Sequence, residues 1–167
     1  MNSRGQAVSF DLAIAVFIFI LAFISIASLW ESNLEDFSNS RDFQELQNSA
    51  FMISETLVKN QGVPSNWEIL QFSDVNVIGL AEQDRVLSTQ KVARLKNLLS
   101  SSYALTKDKM RLQIYDIFIK FDSLDQKTAD LNMGVAPPQN VYIATIRRIV
   151  DYNGTEAKMD VILYVKP

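Results

Sequence analysis

Cysteine and histidine are both absent from this 167-residue chain. Without cysteine there is no disulfide, no thiol nucleophile and no thiolate metal site. Without histidine the chain lacks the side chain most used for proton transfer near neutral pH, which is also the commonest metal ligand. Triads built on His or Cys are excluded, leaving carboxylates, lysines and hydroxyls. Glycine occurs only five times, and nowhere with the spacing of a phosphate-cradling loop. Sixteen basic residues against nineteen acidic ones leave a formal charge of -3. With no basic cluster, nothing points to a phosphate backbone as ligand. No enzyme activity, no cofactor and no nucleic-acid partner is expected.

What the chain does have is one long apolar run. From Leu12 to Trp30 there is no charge, and only Ser25 and Ser28 are polar. A helix crosses a bilayer core with about 20 apolar residues, so the run predicts a spanning helix. Arg4 stands before it, and Glu31, Glu35 and Asp36 come after it. The positive-inside bias then puts the N-terminus in the cytoplasm and the remainder outside, with Trp30 at the outer interface. A cleaved secretory signal is disfavoured, because the run is too long and has no clear small-x-small boundary. Asp11 sits at the mouth of the run. A carboxylate there either reaches back to the interface or finds a partner.

Arg4-Gly5-Gln6, then Ser9 and Asp11, then the apolar run, resemble the type IV prepilin signal, in particular the archaeal class III signal. The resemblance implies a leader 1–5, with Gly5 as its last residue and Gln6 as the new N-terminus. It also implies a prepilin peptidase acting at the cytoplasmic face, and a helix retained for assembly. Asp11 would neutralise the α-amino group of a neighbouring subunit. Here the acidic residue is Asp rather than Glu, and it stands one residue further from Gln6 than is usual. Cleavage after Gly5 and cleavage after Gln6 both stay open.

No Gly or Pro occurs from Gln6 through Gln61. Beyond Trp30 the chain turns amphipathic, with Leu34, Phe37, Phe43, Leu46, Phe51, Ile53, Leu57 and Val58 mostly three or four apart. This predicts one helix in two parts, an apolar 6–30 and an amphipathic 31–61, loosened at most around Ser38–Asp42. Gly62 and Pro64 stop it. Residues 62–167 then form an α+β head. The Gly62-x-Pro64-x-Asn66-Trp67 stretch, with Gly79-Leu80-Ala81, Leu87 and Lys91 after it, resembles a recurring layout of archaeal pilin-like membrane proteins. Taken on their own, Trp67 is a core aromatic and Pro64 a loop stiffener.

Ser88 to Ser102 reads as a helix capped by Ser88, with Lys91, Arg94 and Lys96 on a solvated face. Met110 to Phe121 reads as an interior strand and Ser123 to Gln139 as a polar loop. Asn153-Gly154 is the favoured pair for a two-residue hairpin turn. With Tyr152 opposite Thr155, one face carries Val150/Ala157, Ile146/Val161, Ala144/Leu163 and Tyr142/Val165. The other carries an Arg147/Asp160 charge pair, and a slip of one residue would invert both faces. Arg148, opposite Met159, is the exception on the apolar side, expected at the edge with its stem packed and its guanidinium free. The fold class expected is a long N-terminal transmembrane and amphipathic helix on a small antiparallel sheet with one additional helix, pilin-like.

Asp116, Asp122, Asp125 and Asp130 are loosely grouped without a calcium-loop pattern; Asp122 and Asp125 make at most a weak cation site. Asn153-Gly154-Thr155 also matches the N-glycosylation acceptor pattern. The function expected is a structural pilin-like subunit (filament subunit, minor pilin or pseudopilin) held in the membrane and assembled through its helix. Its expected partners are homologous subunits, prepilin peptidase, pilus assembly machinery and membrane lipid. Its expected location is single-pass in the membrane, with the head extracytoplasmic and at the cell surface once assembled. The alternatives are a membrane-anchored external binding module that does not polymerise, and a tethered enzyme using carboxylates.

Overall fold

The computed structural model describes the backbone of residues 3–124 and 131–165, and the side chains of 12–26, 28, 41–124 and 131–165. The chain divides into two compact units, Met1–Asp42 and Phe43–Pro167. Helix α1, Ser3–Lys59, contributes to both.

α1 is 57 residues long and unbroken, as its lack of Pro allows. One expectation is corrected here: among the described residues no helix is long and apolar enough to cross a membrane.

In the second unit α1 buries Leu46, Ala50, Leu57 and Val58 in one hydrophobic cluster with the inner face of a sheet. Six strands make that sheet: β1 (Ala81–Gln83), β2 (Val86–Leu87), β3 (Tyr115–Ser123), β4 (Leu131–Gly134), β5 (Ile143–Tyr152) and β6 (Thr155–Val165). Their order is β1-β2-β5-β6-β3-β4. The sheet is neither small nor wholly antiparallel, because β2 runs parallel to β5 and the other pairs are antiparallel. Among the described residues two additional α-helices accompany it rather than one: α2, Thr89–Ser101, and α3, Tyr103–Lys109. The strand expected from Met110 starts only at Tyr115, and the supposed loop 123–139 contains β4.

The β5–β6 hairpin has the register that its Asn-Gly turn and alternating pattern require. Tyr152 pairs with Thr155, Val150 with Ala157, Ile146 with Val161 and Ala144 with Leu163. Tyr142 lies before the strand begins. Asn153 and Gly154 take φ of 58° and 74°, the left-handed conformation such a turn needs. α2 buries Val92, Leu95, Leu98 and Leu99 on one side. Ser88 does not cap it through its hydroxyl. Its carbonyl instead accepts the Val92 N–H at 3.0 Å while its N–H donates to Leu80 O at 2.8 Å.

Candidate functional sites on the helix and the head

The expected processing residues Gly5 and Gln6 and the expected assembly residue Asp11 lie on the α1 backbone. Their side chains, and that of Ser9, fall outside the described residues. Immediately beyond them, Leu12, Ile14, Val16, Phe17, Ile18 and Phe19 begin a series of exposed large apolar side chains that runs to Ile26. They point to every side of the helix rather than along one stripe, a pattern of helices that are covered all round in their working state. Ser25, the one described polar side chain within 12–26, turns its hydroxyl back onto Leu21 O at 2.8 Å.

In the head the most constrained place is the end of α1. A helix leaves its last carbonyls without intrahelical partners, and here the chain beyond the helix returns to meet them. Leu57 O accepts from Leu80 N at 2.9 Å, Val58 O from Arg85 N at 3.2 Å and Asn60 O from Ala81 N at 3.1 Å. Lys91 Nζ donates to Gln61 O at 2.8 Å and to Ala81 O at 3.3 Å. Lys91 is only 5% exposed, which corrects its placement on a solvated face. Its ammonium lies where the negative end of the α1 dipole favours a cation.

Two glycines make that return possible. Trp67 is fully buried and its indole N–H donates to Gly79 O at 2.8 Å. A Cβ on Gly79 would sit 2.6 Å from the Gly62 nitrogen and nearer still to Asn60 O. Gly62, at φ 93°, lies against the Trp67 ring, where a Cβ would come within 2.7 Å of Nε1. The glycine, proline and tryptophan spacing noted in the sequence therefore builds a clasp on the helix end.

A second polar cluster surrounds Arg148. Its guanidinium is not free: Nε and Nη2 each reach Ser54 Oγ at 3.2 Å. Nη2 pairs with Glu55 Oε1 at 2.6 Å, and the group stacks 4.9 Å over the Phe51 ring. Lys59 binds the same carboxylate. The hydrogen bond from Lys59 and the charge of Arg148 hold the Glu55 carboxyl below its ordinary range. On the other sheet face Arg147 grips Asp160 with two bonds, 2.7 and 2.8 Å. Their geometry is bidentate, the strongest form of such a pair.

Of the grouped carboxylates, Asp116 pairs with Lys107 at 2.6 Å and accepts the Tyr103 hydroxyl at 3.1 Å. Burial, and then the nearby Asp116 charge, push the Tyr103 phenol well up. Asp122 pairs with Lys120; Asp125 and Asp130 lie outside the described residues. Among the described residues no group of three or more acidic side chains is placed to hold a metal ion. An open groove of about 480 Å³ runs between α1 and the segments 76–78 and 109–112, with Met52, Ile53 and Leu57 among its apolar lining and Lys109 and Arg111 along it. Asn153 is exposed in the hairpin turn.

A family model matches residues 2–164, nearly the whole chain. The chain belongs to the family of unknown function DUF7287. No curated protein and no solved structure matches it. The match takes in both the apolar part of α1 and the head.

Proposed function

We propose that the chain is a structural, pilin-like subunit that assembles through the N-terminal part of α1. The observation that carries this reading is the exposed, all-round apolar surface of residues 12–26. An apolar surface of that continuity marks a place of association. Covering one Leu, Ile or Phe contributes about 1.5–3 kcal/mol, so copies whose helices pack side by side gain more with each shared turn. Asp11, at the entrance of that surface, is the charge that sets register by meeting the amine of a neighbouring copy. The partners this reading requires are further copies or homologous subunits, a prepilin peptidase acting near Gly5–Gln6, and assembly machinery. The head, with Asn153 offered for glycosylation, stands outside the cytoplasm and at the cell surface.

The test is made on the native protein. Intact mass is expected to show loss of the first five or six residues, and a mature form beginning at Met1 would sink the processing step. Asp11→Ala is expected to abolish ordered assemblies in electron micrographs while the head melts at the wild-type temperature. Assemblies indistinguishable from wild type would overturn the role given to Asp11. Unchanged association after removal of 1–42 would overturn the helix-based reading as a whole.

A further inference from the structure

β2 covers β5 only at Asp151 and Tyr152, so the rest of β5 forms an open edge of the sheet. Which residues face that edge is fixed by two observations. Tyr152 and Thr155 close the two-residue turn, and Asp151 N turns away from β6 to donate to Arg85 O at 2.8 Å. Alternation along an antiparallel ladder then directs the N–H and C=O groups of Ile143, Thr145, Arg147 and Ile149 outward as well. No described group bonds them.

Natural edges are blunted with Lys, Pro, bulges or loose charge. From Ile143 to Val150 there is no Lys, Pro or Gly, and the register with β6 is continuous. The two arginines do not defend it either, because Arg147 is neutralised by Asp160 and Arg148 by Glu55. Ile143 and Ile149 are 46% and 48% exposed, and Phe51 is equally open. Phe51 lies beside Ile143–Ile146 on the inner side of the edge.

We propose that this edge is a self-association site, in which β5 of one copy pairs antiparallel with β5 of a second about Ile146. Outward-facing residues must oppose one another, which leaves few registers. Centred on Ile146, Ile143 meets Ile149, Thr145 meets Arg147, and Ile146 meets itself. Nearly the whole open edge is used and about eight hydrogen bonds form. A pairing centred on Arg147 sets Ile143 against Asp151, whose N–H is already taken by Arg85, and one centred on Thr145 leaves Ile149 opposite Val141, beyond the strand. Glu55 meets Arg148 while Gln47 and Phe51 flank Ile143–Ile146, so this part of α1 runs in the direction of β5. Pairing therefore reverses one head against the other. It is a contact separate from a bundle of helices that all point one way, and its failure leaves the helix-based reading standing.

The chain has no cysteine, so one introduced thiol reports the contact without background. Ile146→Cys in the full chain, kept in detergent and oxidised, is expected to give a disulfide-linked dimer, because residues opposed at a pair without ladder bonds lie within disulfide reach. Thr145→Cys is expected to give at least tenfold less, since it opposes Arg147 and not itself. Adding Thr145→Pro to Ile146→Cys removes an outward N–H and no bond to β6, as an edge strand tolerates. It is expected to abolish the link while the melting temperature stays close to that of Ile146→Cys alone. Ile146→Cys in an Asp11→Ala background is expected to cross-link as Ile146→Cys alone does. A folded Ile146→Cys protein that stays monomeric, or equal linking at positions 145 and 146, would overturn the proposal.

Discussion

Replacing Gly79 by alanine tests whether the clasp on the end of α1 holds the head together. The added carbon would overlap Asn60 O and stand 2.6 Å from the Gly62 nitrogen. Both are backbone atoms, and Asn60 O is already held by Ala81 N, so no side chain can swing aside to make room. Overpacking of this kind costs about 1–3 kcal/mol. Displacing Gly79 also stretches the bond from the Trp67 indole, and a buried donor left unpaired costs a further 1–3 kcal/mol or so. A total of about 3 kcal/mol is expected. For a unit the size of 43–167, roughly 4 °C per kcal/mol converts this to a fall in Tm of about 12 °C. Thermal melting followed by Trp67 fluorescence, in a Trp30→Phe background, reads it directly. Gly154→Ala is the control, because its Cβ meets nothing within 4 Å. It loses only the ease of a positive φ, about 1 kcal/mol. A Gly79→Ala protein melting within about 3 °C of wild type, or no lower than Gly154→Ala, would refute the reasoning, since the return of the chain onto α1 would then not be tight.

Two further outcomes concern the Arg148 cluster. Arg148→Ala removes the bonds to Ser54, the pair with Glu55 and the stacking on Phe51, and is expected to lower stability by about 2 kcal/mol in denaturant titration. Arg148→Lys recovers only part of it, because an ammonium lacks the planar fork that reaches both partners. Glu55 is also expected to make the head acid-sensitive. Its carboxyl is held below the ordinary range in the folded state, so its contribution is present above about pH 4.3 and is lost as pH falls through the lower, folded value. Glu55→Gln should flatten stability against pH in that window, and an unchanged pH profile would argue against the pair.

How far the sequence spoke for the structure depended on whether an element carried its own local signal. The β5–β6 hairpin did: Asn153-Gly154 supplies the turn, and one face of alternating residues rejects a slipped register. The unbroken α1 did as well, through the absence of Pro and Gly from Gln6 through Gln61. β1 and β2 are three and two residues long and exist only because β5 and the end of α1 meet them. No short-range pattern could announce them, nor the parallel β2–β5 pair. β4 sat inside a stretch read as loop, because its four residues include Asn132 and Gly134, poor strand formers that leave no alternating pattern. Lys91 and Arg148 were misjudged for one shared reason. A sequence shows the charge of a side chain but not the carbonyl, hydroxyl or carboxylate that folding brings against it. The glycines of the clasp were visible as a spacing, while the indole and helix end they make room for were not.

The clasp also bears on mechanics. A pull delivered along α1 would load the contacts of Leu46, Ala50, Ser54 and Glu55 and, behind them, residues 57–61, where four attachments hold the helix end: the amides of Leu80, Ala81 and Arg85, and the ammonium of Lys91. Forced unfolding is governed by the unfolding rate rather than by equilibrium stability. The same cluster that fixes where α1 ends thus adds to the barrier that a pull on the chain has to cross.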